Sequence, residues 1–512
     1  MTVTDAATQH TGGTVQDGGY VDVVIIGAGV SGIGAAYRIT EKNPGISYVV
    51  LERREHIGGT WDLFRYPGIR SDSSIFTLSF PFEPWTRPES VAQGPYIREY
   101  LTDTAHKHGI DQHIRFNSYV RSADWDSATD TWTITTERGG TNNTPGTQRT
   151  AYRSRFVFFA SGYYNYDDPY SPEFPGIETF GGTVAHPQHW PEDLDYAGKH
   201  VVVIGSGATA MSMIPAMAKT AGKVTMLQRT PSYLVSLAMY SKFDNVIRKV
   251  LPGRLGHLAM RVRYSLLEAV IWFVARKTPG LAKWYLRREA VNSLPPGYDV
   301  DVHFKPPYNP WDQRLCLIPD HDMYAAIRAG RVDVVTDHID HIDTAGIALK
   351  SGKHLDADII ATATGLQLLG LGGVHITVDG AEIKPHDRFA YKAYMLDNVP
   401  NLFWCLGYTN ASWTLRADMT ARAAARLIAH MRARGQTHAY PHHGDEPMAE
   451  QSVWNLQAGY VLRSPQALPR SGVKRPWKVR HNYLADSIDY HFHPIDESMV
   501  FGRVAEKASR AG

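Results

Sequence analysis

The stretch "YVDVVIIGAGVSGIGAAYRITEKNP", residues 20–44, decides the fold. It begins as an apolar strand, passes through glycines at Gly27, Gly29 and Gly32, and continues with the pattern of a helix. In a dinucleotide-binding turn, the first glycine permits the tight turn and the second lets a pyrophosphate approach the backbone. The third glycine lets the helix pack close to the strand. The stretch therefore predicts the first strand, turn and helix of a Rossmann-like α/β unit.

A second strand supports this prediction. The segment "SYVVLE", residues 47–52, follows the helix pattern and ends at Glu52, twenty residues after Gly32. A carboxylate at this place can accept hydrogen bonds from both hydroxyls of an adenosine ribose. The turn and the acid together predict a nucleotide-binding site, whereas GxGxxG alone would also fit an ordinary glycine turn.

The chain contains a second unit of the same kind. The segment "KHVVVIGSGATA", residues 199–210, carries Gly205, Gly207 and Ala210 at the three turn positions, and "KVTMLQRT", residues 223–230, is its next strand. Alanine is a tolerated variant at the third position. The chain is therefore predicted to contain two Rossmann-like dinucleotide-binding domains.

The ends of the two second strands differ in charge. When the strand ends are aligned, Gln228 takes the place of Glu52, and Arg229 matches Arg53. A carboxylate would repel a 2′-phosphate, whereas a guanidinium can bind it. We therefore expect FAD in the first site and NADPH in the second, an arrangement that suits hydride transfer from a nicotinamide to a flavin. The alternative for Arg229 is a solvated arginine at the end of a strand.

Composition limits the class of protein. The 512 residues exceed a single core, and the hydrophobic fraction of 43% is that of a soluble globular protein. A net charge of +2 gives no electrostatic indication of nucleic-acid binding. The two cysteines, Cys316 and Cys405, are far apart, which argues against a disulfide framework or a zinc site, and no metal is expected.

No segment has the pattern of a signal peptide or a membrane span. Residues 1–19 are polar and rich in glycine and threonine, and we expect them to form a disordered tail. The nearest apolar run, "SLLEAVIWFVA" at residues 265–275, is too short to cross a bilayer and contains Glu268. It predicts a buried or amphipathic helix, with contact to a membrane surface as the alternative.

The order of motifs predicts the domain organisation. The FAD domain is expected in two parts, residues 1–150 and 385–512, with residues 151–174 as a linking strand region. The NADP domain is expected over residues 175–384, with a helical insertion at about 236–307. The apolar strand "DADIIATATGL", residues 356–366, would return the chain to the flavin region.

Between the two turns lies "FGGTVAHPQHWP", residues 180–191. Its Phe180, Gly182, His186, Trp190 and Pro191 occupy the fixed positions of the fingerprint F-x-G-x-x-x-H-x-x-x-W-[PD]. On these residues the chain resembles the type I Baeyer–Villiger monooxygenases, which belong to the flavin-containing monooxygenase superfamily. The segments "GYTNASWTL" at 407–415 and "GYVLRS" at 459–464 are similar to the ethionamide-activating branch of that family.

The resemblance extends over nearly the whole chain and implies roles for individual residues. "GGTWDLFRYPGIRSDSS", residues 58–74, is similar to the segment that follows the FAD-binding acid, and "YNPWDQRLCLIPD", residues 308–320, to the segment with the active-site arginine. Arg314 is the implied catalytic arginine, and Asp72 is the carboxylate that orients it. Further residues are implied to bind the cofactors: Ser31, Gly59, Thr60, Trp61, Asp62, Ser206, Ala208, Thr209 and Gln313.

The resemblance also bears on Gln313 and on the role of the fingerprint segment. The family often has lysine where Gln313 stands, which leaves more of the binding of the 2′-phosphate to Arg229. The fingerprint is implied to be a linker that couples domain movement to catalysis. His186 is therefore expected to be an essential residue and not a general base.

The reaction that the resemblance implies uses NADPH and O2. A C4a-peroxyflavin would add to a ketone and give an ester or a lactone, and the enzyme would also oxidise sulfides. The fixed charge of an arginine would stabilise the peroxide anion in a site closed to water. The expected partners are a small ketone or thioether and O2, and the expected location is cytoplasmic. The sequence leaves the oligomeric state open.

Two other functions fit the same nucleotide sites. A flavin-containing monooxygenase that oxidises nitrogen or sulfur would share the cofactors without needing Arg314 and Asp72. A non-catalytic flavin redox-sensing module would share the fold alone. A disulfide reductase is excluded because no paired cysteines stand near the flavin segment.

Overall fold

A computed structural model describes residues 15–444, 447–454 and 458–504. The chain forms a mixed α/β structure with 25 strands and 13 α-helices in these residues. In chain order, the strands are β1 Val15–Ile26, β2 Tyr48–Leu51, β3 Ile114–Arg115, β4 Ser118–Asp126, β5 Thr131–Arg138, β6 Arg149–Phe159, β7 Thr183–Ala185, β8 His200–Ile204, β9 Lys223–Gln228, β10 Leu234–Leu237, β11 Cys316–Pro319, β12 Val332–Thr336, β13 Ile339–Ile342, β14 Gly346–Leu349, β15 His354–Asp356, β16 Ile359–Thr362, β17 His375–Val378, β18 Ala381–Glu382, β19 Ala390–Tyr391, β20 Met395–Leu396, β21 Leu402–Trp404, β22 His438–Pro441, β23 Glu450–Ser452, β24 Arg470–Gly472 and β25 Met499–Gly502. The α-helices are α1 Val30–Lys42, α2 Thr60–Leu63, α3 Ile75–Leu78, α4 Gly94–Lys107, α5 Ala208–Met217, α6 Lys242–Val250, α7 Gly253–Lys277, α8 Pro279–Ser293, α9 Val300–His303, α10 Asp322–Arg328, α11 Trp413–Arg434, α12 Gly459–Leu462 and α13 Tyr483–Phe492.

The first sheet has nine strands and holds the first dinucleotide turn. Its order is β18-β17-β4-β5-β6-β1-β2-β3, and β21 also pairs with β6. Strands β2, β6 and β21 run parallel to their neighbours in the half around β1, so their carboxyl ends meet at one edge. The inner part of β1, from Val23 to Ile25, is fully buried because both faces of this half are covered. The first turn therefore lies at the carboxyl edge of a parallel sheet, where such folds bind ligands.

The beginning of the described chain differs from the sequence-based expectation. Residues 15–19, predicted as the end of a disordered tail, are the start of β1 and pair beside β6 from Arg149 onward. Backbone pairing with the long strand β6 stabilises this segment as a strand, although its composition is polar and rich in glycine. Residues 1–14 of that predicted tail lie outside the described residues.

The second sheet holds the second turn. Its five strands are all parallel and lie in the order β12-β9-β8-β16-β7. The central strand β8 is apolar and buried from Val201 to Ile204, since neighbouring strands and α5 cover it. Strand β7 belongs to the fingerprint segment, so this segment forms the edge of the second sheet.

The helical insertion and the return to the first sheet complete the fold. Helices α6, α7, α8 and α9 lie in the stretch predicted as a helical insertion. Strands β17 and β18, at residues 375–382, already pair with the first sheet, just before the predicted boundary at residue 385. The predicted α/β class, with two Rossmann-like units and a helical insertion, is confirmed. Within the described part of the chain, no helix has both the length and the apolar character needed to cross a bilayer.

Candidate active site

The first turn requires glycine at two positions for steric reasons. Gly27 has a φ of +105°, and a Cβ there would lie 2.7 Å from the carbonyl oxygen of Ala160. A Cβ on Gly32 would lie 1.8 Å from the carbonyl oxygen of Gly27. The close approach of β1, β6 and α1 is therefore possible only with these glycines, as the dinucleotide turn predicts.

The middle of the turn faces a second pair of glycines. A Cβ on Gly29 would lie 3.5 Å from the Cα of Gly59, and Gly59 itself has a φ of +56°. Gly29 is the N-cap of α1, whose first N–H groups have no partner within the helix. Bare backbone on both sides and a helix N-terminus make this cradle fit a pyrophosphate such as that of FAD.

Glu52 lies at the end of β2, as predicted, and is 3% exposed. Its Oε2 accepts a hydrogen bond from Ala28 N–H at 2.7 Å, and its Oε1 accepts one from Arg54 N–H at 2.9 Å. Burial raises the pKa of this carboxyl, while the two backbone donors and the arginines oppose the shift. The backbone thus fixes the carboxylate at the cavity wall, where ribose hydroxyls would add donors that favour its charged form.

In the segment after the Gly58–Gly59 pair, some residues line the cavity and one supports them from behind. Thr60 and Trp61, in α2, line the cavity, and Tyr166 Oη lies 3.5 Å from Thr60 Oγ1. The Asp62 side chain is fully buried behind them and forms ion pairs with arginines that lower its pKa against the effect of burial. The ion-pair partners of Asp62, with N···O distances of 2.7, 2.7 and 3.3 Å, are Arg54, Arg65 and Arg98. Asp62 therefore braces the cradle and is not itself part of the cavity wall.

The second turn repeats the design of the first. Gly205 has a φ of +135°, and a Cβ there would lie 2.3 Å from the carbonyl oxygen of Ala363. Gly207 is the N-cap of α5 and has open space in front of it, whereas Ala210 is buried in the helix. Ser206 Oγ donates to Thr230 O at 2.9 Å, which fixes the loop after β9 to the turn.

At the strand end that was predicted to bind the 2′-phosphate, Gln228 is buried and Arg229 is exposed. Gln228 is buried, and its Nε2 donates to His303 O at 2.8 Å and to Thr336 Oγ1 at 2.9 Å. Arg229 is exposed and has no hydrogen bond or ion pair through its side chain within the described residues. Its guanidinium is therefore available to a ligand, while Gln228 holds the strand end in place.

The first turn and the start of α5, which follows the second turn, line one cavity. From the first unit it is lined by Gly27, Gly29, Ser31 and Glu52, and from the second by the first residues of α5, Ala208 and Thr209. The N-terminal residues of α1 and of α5 therefore border the same space, and each helix N-terminus can bind an anionic group. Nine predicted turn, strand-end and cofactor-binding residues do not line this cavity: Gly32, Asp62, Gly205, Ser206, Gly207, Ala210, Gln228, Arg229 and Gln313.

Arg314 and Asp72 meet inside this cavity. Arg314 Nη1 lies 3.1 Å from Asp72 Oδ2, and both side chains are partly exposed to the cavity. Asp72 raises the pKa of the Arg314 guanidinium above its ordinary value, against the effect of burial. The guanidinium is therefore permanently charged and held in place by a carboxylate.

Aromatic side chains form the wall beside this ion pair. Tyr163 and Tyr164 follow β6, their hydroxyl oxygens are 2.7 Å apart, and burial raises the pKa of both. Trp413, at the N-terminus of α11, stacks on Tyr163 and donates through Nε1 to Ser31 Oγ at 2.8 Å. The three rings give the cavity an apolar wall and tie it to the first turn.

A glutamate from the insertion reaches the same region. Thr77 Oγ1 donates to Glu268 Oε1 at 3.1 Å, and Ser412 N–H donates to Oε2 at 3.4 Å. The hydroxyl of Ser412 lies 2.6 Å from Thr77 Oγ1 and donates to Ser73 Oγ at 2.7 Å, next to Asp72. Burial raises the pKa of Glu268 to about 7, and the charge of Asp72 acts in the same direction. A titratable group thus lies at the end of a hydroxyl chain behind the ion pair.

The fingerprint braces the site from outside. A Cβ on Gly182 would lie 2.2 Å from Asp358 O, and Trp190 is buried in the core of the second unit. His186 Nδ1 accepts from Gln188 N–H at 3.1 Å, and burial lowers the pKa of this histidine to about 4. Phe180 packs against the far side of the second sheet.

The link from the fingerprint to the cavity passes through Gln188. Its Nε2 donates to the carbonyl oxygens of Asn165 at 2.9 Å and Tyr166 at 3.1 Å, and Tyr166 lines the cavity. The segment therefore supports the cavity wall without contributing the histidine to it.

Comparison with known proteins identifies the family. The FAD-containing monooxygenase EthA of Mycolicibacterium smegmatis is 46% identical over 482 residues, which are 94% of this chain and 96% of that protein. The chain belongs to the family of FAD-containing monooxygenases that includes EthA. The EthA protein of Mycobacterium tuberculosis is also 46% identical, over 91% of this chain and 94% of its own length. The family that the sequence resembles is therefore confirmed, and FAD with NADP is the cofactor pair of that family.

Solved structures agree with this family in fold. A steroid monooxygenase bound to NADP has a TM-score of 0.73 at 22% identity, covering 94% of this chain and 100% of that one. Cyclohexanone monooxygenase bound to ε-caprolactone has a TM-score of 0.70 at 20% identity, with the same coverage of both chains. At these identities the comparison supports the two-domain fold of this monooxygenase and nothing finer.

A broader family model matches the nucleotide-binding part. The model described as pyridine nucleotide-disulphide oxidoreductase matches residues 24–258, which include both turns. Cys316 and Cys405 are free and buried, and burial raises the pKa of both thiols. The match therefore reflects the two nucleotide-binding units of this monooxygenase and not a redox disulfide.

Sequence reasoning did not single out several residues of the site. Tyr163 and Tyr164 stand directly after β6, at the same sheet edge as the first turn, so the position of that strand could have indicated them. Trp413 lay in a segment used only for the resemblance. Glu268 was noted as a charge in an apolar run, but its contact with Thr77 depends on the packing of α7 against α3.

Proposed function

We propose that the protein is an NADPH- and O2-dependent monooxygenase that converts ketones to esters or lactones and also oxidises sulfides. The observation that carries the proposal is the Arg314–Asp72 ion pair, which lies in the cavity that the first dinucleotide turn and the start of α5 line. An enzyme that oxidises only nitrogen or sulfur needs the two nucleotide sites but no fixed cation at this place. We propose a cytoplasmic location for the enzyme.

The residues of the two turns would hold the cofactors. The N-terminus of α1 and the Gly29–Gly59 cradle fit the pyrophosphate of FAD, and Glu52 fits its adenosine ribose. The N-terminus of α5 and the free guanidinium of Arg229 fit the phosphates of NADPH. Bound FAD would supply the redox chemistry, taking electrons from NADPH and passing one oxygen atom of O2 to the substrate.

Arg314 would supply the electrostatic part of the reaction. Addition of oxygen to a carbonyl places negative charge on oxygen, and a fixed cation in a site closed to water stabilises that charge most in the transition state. Asp72 keeps the guanidinium charged and limits its rotation. A guanidinium also cannot give up its proton near neutral pH, so it stabilises the anion without protonating it.

The aromatic wall would exclude water from this place. Tyr163, Tyr164 and Trp413 surround the region in front of Arg314, and the two tyrosine hydroxyls satisfy each other. Their raised pKa values keep both phenols neutral near pH 7, so they add no negative charge beside the guanidinium.

The test is product analysis with purified protein, NADPH and O2. Linear, cyclic and aromatic ketones and one thioether are supplied, and products are identified by gas chromatography. An ester or lactone from any ketone supports the proposal. Sulfoxide formation without any ester would favour the purely heteroatom-oxidising enzyme, and the absence of NADPH-dependent O2 uptake would favour a redox-sensing module.

A further inference from the structure

Helix α7 of the helical insertion exposes an apolar stripe, while its inner side combines polar side chains with the buried Met260 and Tyr264. Helix α7 directs polar side chains toward the protein, where His257 contacts Phe80 O at 3.1 Å and Arg261 donates to Ser79 O at 2.7 Å. An apolar stripe at intervals of three or four residues faces outward instead. Its exposed members are Leu255, Leu258, Val262, Leu266, Val270 and Phe273. A helix of a soluble domain normally has the opposite arrangement.

The neighbouring helices extend this apolar face. Helix α6 exposes Phe243, Val246 and Val250, and helix α8 exposes Trp284 and Tyr285. Residues 240–291 hold 17 of the 28 large apolar side chains that are exposed in the described part of the chain. A surface of this kind marks a site of interaction, because a monomeric soluble protein rarely exposes so much apolar area in one place.

Most of the charged residues around this face are positive. Residues 240–293 contain eleven lysines and arginines but three acidic residues, although the whole chain has a net charge of +2. The acidic side chains are turned inward: Asp244 is buried against Arg263 and Tyr264, and Glu268 and Glu289 are partly buried. Exposed cations that form no ion pair within the described residues are Lys242, Lys249, Arg254, Lys277 and Arg288.

We propose that α6, α7 and α8 form a surface that binds an anionic lipid bilayer. Apolar stripes bordered by lysine and arginine are the arrangement that places a helix in the headgroup layer, with its apolar face toward the acyl chains. Three helices of this kind would lie on the bilayer, and none crosses it. Two copies of this face would bring like charges together, so its charge favours anionic lipid over self-association.

The position of this surface gives it a functional consequence. Arg261 and Glu268 of α7 contact α3 and Thr77, and Leu78 of the same short helix lines the cavity. Helix α7, whose outer side belongs to the proposed bilayer-binding surface, therefore packs on its inner side against α3, which borders the cavity. An apolar substrate dissolved in the bilayer would be delivered next to the cavity. The lipid contact itself does not depend on the oxygen-transfer reaction.

The experiment measures co-sedimentation of the FAD-loaded full chain with vesicles of phosphatidylcholine, with and without phosphatidylglycerol. We expect binding to the vesicles that contain phosphatidylglycerol, weakened by added salt. The triple variant Phe243→Ser, Leu258→Ser and Trp284→Ser should lower the partition by at least ~tenfold, since each change removes an anchor. Flavin absorbance and thermal melting of the variant check that it is folded.

A matched control separates this surface from exposed apolar residues in general. The triple variant Tyr20→Ser, Phe116→Ser and Phe492→Ser alters exposed aromatic residues elsewhere and should bind vesicles as the parent protein does. The proposal is overturned by absence of vesicle binding, or by equal binding of the insertion variant and its parent. It is also overturned if light scattering shows a dimer that the insertion variant dissociates while vesicles bind neither protein.

Discussion

Arg314 Nη1 lies 3.1 Å from Asp72 Oδ2, although the two residues are 242 positions apart in the chain. Asp72 comes from the segment between the first turn and α3, and Arg314 comes directly before β11, after the helical insertion. The contact therefore joins a segment near the first turn to a segment near β11, in the cavity that the first turn and the start of α5 line. A cation held at this place by the fold of both units is the basis of the first prediction.

Arg314→Ala should abolish ester formation while the protein keeps its FAD. The glycine cradle and Glu52 remain intact, but the charge that stabilises the oxygen anion is lost. We expect a fall of at least ~10²-fold in ketone-dependent product, the usual scale for removal of a transition-state electrostatic group. Product is measured by gas chromatography and flavin content by absorbance. An FAD-loaded Arg314→Ala enzyme that forms ester at the parent rate would contradict the assignment.

Asp72→Ala should give a milder defect than Arg314→Ala. The carboxylate orients the guanidinium and raises its pKa, so its loss loosens the arginine without removing its charge. The double variant should be little worse than Arg314→Ala alone, because residues that act as a unit are not additive. Additive losses in the three variants, measured as kcat/KM for one ketone, would show that the two residues act separately.

The sequence predicted those parts of the molecule whose structure depends on residues close together in the chain. Gly27, Gly32 and Glu52 act within one strand–turn–helix–strand unit, so their spacing alone indicated their roles. The proximity of Arg314 and Asp72 followed from the resemblance and not from spacing. Pattern reasoning did not predict the contact of Glu268 with Thr77, because the packing of α7 on α3 joins positions 191 residues apart.

Glu52→Gln should weaken FAD binding. Both oxygens of Glu52 accept hydrogen bonds from backbone N–H groups, and an amide has one acceptor oxygen, so one of these N–H groups would face the amide NH2 group. A lost hydrogen bond to a charged group corresponds to roughly ten- to hundredfold in affinity. Flavin occupancy after purification, and its recovery with added FAD, is the measurement. Glu55→Gln, at an exposed glutamate three positions away, is the control and should retain full occupancy.

Arg229→Ala should raise KM for NADPH far more than KM for NADH. The exposed guanidinium has no other partner in the described residues and would contact only the 2′-phosphate, which NADH lacks. We expect a change of roughly ten- to hundredfold for NADPH, the scale of a charge-assisted hydrogen bond. Arg331→Ala, at an exposed arginine beside the same sheet, should change neither value. Equal effects on both coenzymes would show that Arg229 does not bind the 2′-phosphate.

Glu268→Gln should change how stability depends on pH. In the folded protein, burial raises the pKa of Glu268 from about 4.5 to about 7, and Asp72 adds to the shift, while Thr77, Ser412 N–H and Arg261 oppose it. Between these two pH values the folded state holds a proton that the unfolded state has released. The free energy of unfolding of the parent protein therefore falls as pH rises from about 4.5 to about 7, and this contribution is constant above that range.

The glutamine variant stays neutral and lacks this contribution. Relative to the parent protein, Glu268→Gln should therefore gain stability between pH 5 and pH 7.5, by up to about 3 kcal/mol. Thermal melting of both FAD-loaded proteins across this range is the measurement, and Glu178→Gln, at an exposed glutamate, is the control with no such gain. A constant difference between Glu268→Gln and the parent at every pH would mean that the pKa of Glu268 is the same in the folded and unfolded protein, and would contradict the raised pKa in the folded state.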